Sequence, residues 1–148
     1  MSTPHARPTY LPPGLPGPAR DALSAPFWDG LREGRLRVQR CTRCGTWRFG
    51  PEWICHHCHA FDAAWEEVEP RGRIFSWERV WHPSHPALAN HGPYLVVLVE
   101  LPQAGGVRLL GNLLGDPAQT VRIGAEVCGV FEAHDEAEPP YTLLQWRV

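Results

Sequence analysis

The sequence predicts a mainly β protein in which a short helix and a metal-clipped ribbon precede a small barrel or sandwich. Three observations carry that expectation. Four cysteines stand in two C-x-x-C pairs, Cys41/Cys44 and Cys55/Cys58, within "CTRCGTWRFGPEWICHHCHA". A single short helical stretch, "SAPFWDGLREG", comes before them. From Gly72 onward, five alternating or continuously apolar runs are separated by turn-forming residues.

The elements follow in chain order. Residues 1–20 carry Pro4, Pro8, Pro12, Pro13, Pro16 and Pro18, an extended arm that either lacks fixed structure or lies along a partner. In residues 24–34, Ser24 is a candidate N-cap, Pro26 suits the first turn and Gly34 is a terminator. Phe27, Trp28 and Leu31 make one apolar face, although Gly30 weakens the helix, and so short a helix needs something to dock on. "RLRVQRC" (35–41) alternates as a strand leading into the first cysteine pair, and "AAWEEVEP" (63–70) is the returning strand. "GRIFSWERVW" (72–81) reads as a strand with Phe75, Trp77 and Trp81 on one face and Ile74 and Val80 on the other. A proline-bearing loop (82–93) follows. "YLVVLVEL" (94–101) is apolar on both faces, as in a centrally buried strand. "VRLLGNLL" (107–114) is the next strand, with Gly111 marking a bulge. "AEVCGVFEA" (125–133) and "YTLLQWRV" (141–148) complete the set. The expected organisation is an arm at 1–20, helix and ribbon at 21–70, and the β domain at 71–148.

Composition excludes several function classes. The longest apolar run, "YLVVLV", is far shorter than the ~20 residues of a membrane helix, and the N-terminus lacks a signal-type apolar core. A cytoplasmic location is expected, where paired C-x-x-C motifs point to metal and not to disulfides. All 14 basic residues are arginine, which excludes a Schiff-base lysine and a P-loop. A net charge of −2 gives no general basic footprint for nucleic acid. Locally, Arg32, Arg35, Arg37, Arg40, Arg43 and Arg48 face only Glu33. That run is either a solvated face or a surface for anions or a partner.

Four thiolates bind zinc tetrahedrally, and two C-x-x-C turns each donate a pair. The ten residues between the pairs accommodate a hairpin. Gly45 stands where a tight knuckle wants positive φ. Zinc is the expected ion, and iron is the other metal that a four-sulfur site holds. Catalytic zinc keeps a ligand position open, whereas Cys41, Cys44, Cys55 and Cys58 fill the shell, so the metal is expected to be a structural clip. His56, His57 and His59 then read as knuckle surface. Cys128, alone in a strand, reads as a small buried hydrophobe. His82, His85 and His91 share one loop but have no carboxylate partner for a second metal. Glu66, Glu67 and Glu69 read as solvated. G-x-S-x-G, H-E-x-x-H and G-x-G-x-x-G are all absent. Aromatic residues on barrel strands are usually core, and that reading is preferred for Phe75, Trp77 and Trp81.

The order "PFWDGLREGRL", "QRCTRCG", "CHHC", "GRIFSWERV", "PYLVVLVEL", "LLGNL", "IGAEVCGVFE" and "LLQW" resembles the zinc-ribbon/OB-fold family of acyl-CoA-associated proteins long called domain of unknown function 35. The resemblance covers about residues 20–148. It departs at "CHHCH", where the family often has Cys-Pro-x-Cys-Gly. It implies a rubredoxin-like zinc ribbon followed by a five-stranded OB-fold barrel. It also implies a non-catalytic companion of a thiolase-fold enzyme, such as an aldolase of steroid side-chain degradation, a thiolase or an acyltransferase; some relatives associate with hydratases. Arg73, Trp77, Arg79 and Arg108 are the candidates for contact with acyl-CoA. Phe27, Trp28 and Leu31 are the candidates for docking the partner. Zinc ribbons and OB barrels also bind nucleic acid, a reading that the acidic balance and the absence of lysine count against.

Overall fold

The alternation of Leu36 and Val38 with arginines forms the strand it predicts. In the computed structural model, which describes residues 9–148, β1 (Leu36–Cys41) lies between a short β2 (Trp47–Arg48) and β3 (Ala63–Val68), antiparallel to both. The arginine run is answered across this sheet. Arg40 pairs with Glu66 at 3.3 Å, and Arg35 lies 4.0 Å from Glu67. Exposed pairs of this kind contribute ~0–1 kcal/mol, so at these two residues the run is a solvated strand face.

The helix, α1, spans Ala25–Arg32. Ser24 makes no side-chain cap; the Asp21 carboxylate instead accepts from the Ser24 amide at 2.7 Å and the Ser24 hydroxyl at 2.8 Å. Those bonds hold the Asp21 carboxyl below the usual carboxylate range. Gly30 is tolerated for a packing reason: a Cβ there would lie 2.8 Å from the Arg35 carbonyl oxygen. Gly34, at φ 72°, ends the helix as expected.

The barrel comprises β4 (Arg71–Val80), β5 (Tyr94–Leu101), β6 (Val107–Asn112), β7 (Glu126–His134) and β8 (Tyr141–Arg147). Their order is β6-β5-β4-β7-β8. A parallel bridge between Leu113 and Trp146 brings the two edges together, and the Leu114 amide donates to the Trp146 carbonyl at 2.8 Å. The sheet therefore closes into the five-stranded barrel the sequence predicts. Gly111 does not mark a bulge, because β5 and β6 pair without a register shift. It sits at the closing seam, where a Cβ would meet the Leu144 carbonyl oxygen at 2.6 Å and the Trp146 ring at 2.7 Å.

Two strands depart from the expected face pattern. β5 is buried on one face only: Leu95, Val97, Val99 and Leu101 point inward, while the opposite face is half-exposed. In β4, the pairing slips between Ile74 and Ser76, opposite Val99 and Leu98. This bulge changes the phase of the alternation. Phe75 and Trp77 thus do not share a face, and Phe75, Trp77 and Trp81 are all exposed and not core.

Ribbon, helix and barrel share one core. Phe27, Leu31, Leu36 and Val38 belong to the same buried cluster as Ile74, Leu95, Val97, Val99 and Trp146. Residues 1–8 of the proline-rich arm lie outside the described residues. The rest of the arm packs on the chain itself. Tyr10 meets His91 edge-on at 5.4 Å, and the Leu11 amide donates to Glu132 at 3.1 Å. Among the described residues no helix is long and apolar enough to cross a membrane.

Candidate metal centre

The two C-x-x-C turns fold into matching knuckles. In the first, the Cys41 amide donates to the Thr46 carbonyl at 2.9 Å and the Gly45 amide to the Cys41 carbonyl at 2.9 Å. In the second, the Cys55 amide donates to the Ala60 carbonyl at 2.8 Å and the His59 amide to the Cys55 carbonyl at 2.9 Å. Gly45 and His59 occupy equivalent places, and both have positive φ, 78° and 62°. β1 delivers the first knuckle and the start of β3 follows the second; the Thr42 amide joins them by donating to the Asp62 carbonyl at 3.2 Å.

These turns bring the Sγ atoms of Cys41, Cys44, Cys55 and Cys58 within 4.8 Å of one another. Cys41–Cys58 and Cys44–Cys55 are each 3.6 Å apart. A tetrahedron with metal–sulfur arms of ~2.3 Å has edges of about 3.8 Å, so the thiols already stand where such an ion would place them. They are not disulfides. Cys41 and Cys55 are buried and Cys44 is exposed, so the site lies at the edge of the ribbon, with the small cluster of Cys41, Cys55 and Ala60 beneath it.

The local chemistry favours thiolate. Hydrogen bonds from Thr46, whose hydroxyl lies 3.0 Å from the Cys44 sulfur, lower the Cys44 thiol to about 5. Cys58 behaves oppositely. The Ala60 amide lowers it, but burial and the other three thiols together raise it to about 11. Four thiols so close resist complete ionisation unless a cation neutralises them, which is what a bound metal does. With four sulfurs around the ion, the arrangement serves as a structural metal site. His56, His57 and His59 are exposed and contribute no atom to the cluster.

The other sequence-derived candidates fall in different places. Phe27 and Leu31 are 7% and 1% exposed and pack in the common core, so they are not a docking surface; the helix needed a partner, and β1 and the barrel supply it. Trp28 is half-buried against Phe27. Arg73, Trp77, Arg79 and Arg108 do not form one site. The Arg79 guanidinium lies 5.3 Å from the Trp77 ring and 6.0 Å from Trp81, and it donates to the Pro117 and Gln119 carbonyls at 2.7 Å. Arg108 stacks 3.5 Å over Phe75 and pairs with Glu100 at 3.1 Å; Arg73 stands opposite Glu100 in register. Cys128 is exposed, because Gly129 and not Cys128 packs toward Pro70 and Leu144. His85 caps the Ala87 amide, and His91 bonds the Tyr10 carbonyl at 2.9 Å, so these two loop histidines have separate structural partners.

Sequence reasoning missed the exposed apolar residues of the ribbon. Trp53, Ile54 and Phe61 stand in solvent around the second knuckle. The signal available was their position in short metal-bounded loops that cannot bury large side chains.

Comparison with known proteins agrees with this geometry. The model of the rubredoxin-like zinc ribbon domain of ChsH2 matches residues 28–63, and that of the ChsH2 C-terminal OB-fold domain matches residues 65–132. The chain is 37% identical over 134 residues to a probable enoyl-CoA hydratase alpha subunit of Thermomonospora curvata, covering 89% of this chain and 39% of that one. It is 32% identical over 137 residues to the 3-oxo-4,17-pregnadiene-20-carboxyl-CoA hydratase alpha subunit of Mycobacterium tuberculosis, covering 92% and 41%. The chain thus spans about two fifths of the length of these curated relatives. Among solved structures, a chain of the Ltp2-ChsH2(DUF35) aldolase superposes with a TM-score of 0.75 at 36% identity, covering 88% of this chain and 98% of that one. A DUF35-family protein of unknown function from Sulfolobus solfataricus shares the fold, with a TM-score of 0.57 at 18% identity and coverage of 86% and 85%.

Proposed function

This chain belongs to the ChsH2-type family of zinc-ribbon/OB-fold (DUF35) proteins, and from that premise we propose that it is a non-catalytic companion subunit of a thiolase-fold enzyme acting on acyl-CoA thioesters. The observation that carries the reading is the end-to-end likeness to a chain of the Ltp2-ChsH2(DUF35) aldolase. The hydratase alpha subunits among the relatives support an acyl-CoA setting, and a hydratase-type subunit is the alternative partner. In this reading the partner carries the reaction, an aldol cleavage in steroid side-chain degradation being the one favoured. This chain stabilises the partner and borders its acyl-CoA channel.

The ion is zinc, held by Cys41, Cys44, Cys55 and Cys58, and its work is to fix the ribbon. The exposed Trp53, Ile54 and Phe61 beside the clip supply the apolar anchors that a protein interface concentrates at its centre. Of the acyl-CoA candidates, Arg73 is the arginine most available to a ligand phosphate, since Arg79 and Arg108 are engaged within the chain.

Affinity purification from the native host at moderate salt, with co-eluting chains identified by mass spectrometry, tests the reading. A stoichiometric thiolase-fold chain is expected. Recovery of the protein alone, or with nucleic acid that is lost as salt rises, overturns it. Cys41→Ser and Cys55→Ser are each expected to lose metal, measured by elemental analysis, together with soluble yield. A soluble, metal-free variant that still captures the partner would refute the clip.

A further inference from the structure

The four cysteines of the clip are not equivalent. Cys41 and Cys55 are 1% and 0% exposed, Cys58 is half-buried, and Cys44 is exposed. The metal site therefore has one corner at the surface. That corner is also cationic. Arg43, next to Cys44 in the chain, is exposed, and Arg40 reaches the same knuckle, its Nε donating to the Gly45 carbonyl at 2.9 Å. Exposure beside positive charge is the setting in which a cysteine sulfur reacts, whereas buried structural cysteines are inert.

The sulfurs also pair from one knuckle to the other. Cys44 lies 3.6 Å from Cys55, and Cys41 lies 3.6 Å from Cys58. A disulfide brings its sulfurs to ~2.05 Å, so Cys44 and Cys55 have about 1.5 Å to close. The exposed cysteine thus has a buried reaction partner beside it, on the opposite knuckle.

We propose that Cys44 is an oxidation site, at which a hydroperoxide converts the clip into a Cys44–Cys55 disulfide and releases the metal. With hydrogen peroxide, the Cys44 thiolate attacks one oxygen, the O–O bond breaks and the other oxygen leaves as hydroxide. Cys44 is then a sulfenic acid, oxidised by two electrons. The Cys55 thiolate attacks that sulfur, forms the S–S bond and displaces a second hydroxide. Over both steps two thiolates lose two electrons, one peroxide is reduced, and the two hydroxides take up protons as water. Cys41 and Cys58 remain for the ion, half of its ligand set. A dithiol reductant restores both thiols, so the change is reversible. The switch presupposes the four-cysteine clip but not the identity of the partner.

The test uses the full chain carrying Cys128→Ser, so that the other exposed cysteine forms no disulfide between chains. The zinc-loaded protein is treated with a few equivalents of hydrogen peroxide. Released metal is followed with a zinc indicator, free thiols are blocked, and disulfides are mapped by mass spectrometry of proteolytic peptides. One ion is expected for each Cys44–Cys55 disulfide, with Cys41 and Cys58 still free at half-conversion. Dithiothreitol with added zinc is expected to return the metal. Cys44→Ser in the same background is expected to slow metal loss at least about tenfold; an unchanged rate counts against the proposal. If that variant takes up no metal, the disulfide map of the chain with all four ligands decides. A first disulfide between Cys41 and Cys58, or within either C-x-x-C pair, overturns the proposal, as does metal retained throughout. A chain that never holds zinc would instead overturn the clip itself, and the switch with it.

Discussion

The two residues that follow the C-x-x-C pairs show how one backbone requirement is met twice with different chemistry. Gly45 and His59 both adopt left-handed φ so that their amides reach back to the first cysteine of each pair. Glycine does this without penalty, whereas a side chain clashes with its own backbone at a cost of roughly 1–2 kcal/mol. His59 is exposed, and among the described residues its ring has no hydrogen bond to offset that cost. His59→Gly is therefore expected to stabilise the metal-loaded protein by about 1 kcal/mol, a rise in Tm of roughly 3–4 °C. Gly45→Ala is expected to lower stability by a similar amount, because its φ of 78° is unfavourable although no atom lies closer than 3.5 Å to the new Cβ. Thermal unfolding of both variants at fixed metal loading checks the pair. A fall in Tm for His59→Gly would show that the imidazole makes a stabilising contact. The metal site was the most legible part of the sequence, since ligand spacing is local and Gly45 announces its own turn. His59 was legible only by superposing the second knuckle on the first; by itself a histidine says nothing about φ.

At the scale of elements, the apolar pattern located every strand except the two-residue β2 inside the knuckle segment, and it could not locate a slip within one. Residues 72–81 alternate as though Phe75, Trp77 and Trp81 shared a face. A bulge adds one residue without changing the sequence pattern, and it rotated the end of β4. Gly111 was noticed for the wrong reason, because a glycine in a strand signals either a bulge or a close approach, and the partner in the close approach is Trp146, 35 positions along the chain. The bulge makes a sharp distinction between neighbours. Ile74 is 1% exposed, so Ile74→Ala is expected to cost ~2–5 kcal/mol by leaving a cavity in the barrel. Phe75→Ala, which forfeits little beyond the stacked Arg108, is expected to cost under about 1 kcal/mol. Equal losses in denaturant unfolding would mean that both side chains are interior and the bulge is misplaced. Gly111→Ala is expected to destabilise by roughly 1–3 kcal/mol, since the methyl group must displace the Leu144 carbonyl or the Trp146 ring at the closing seam. Faster amide exchange confined to β6 and β8 would be its signature.

For the whole molecule, the decisive fact is that the ribbon and the barrel do not own separate cores. A ribbon of this length cannot bury enough apolar surface to stand alone, so its order rests on the metal on one side and on the barrel on the other. α1 is the joint. Its apolar face looked from the sequence like a surface waiting for another protein, because an eight-residue helix needs a docking site and the chain gives no local sign of where that site is. The answer lay in long-range packing against Leu36, Val38 and the barrel, which no window of sequence contains. Leu31 makes the consequence measurable. Leu31→Ala removes a side chain that is 1% exposed, and it is expected to cost ~2–5 kcal/mol in the isolated chain, with no partner present. Because the core is continuous, the loss should appear as one cooperative transition shifted to lower denaturant, with tryptophan fluorescence and release of the metal moving together. Two separated transitions would show that ribbon and barrel unfold independently. An unaltered midpoint accompanied by weaker capture of the partner would return Leu31 to the surface and the helix face to docking.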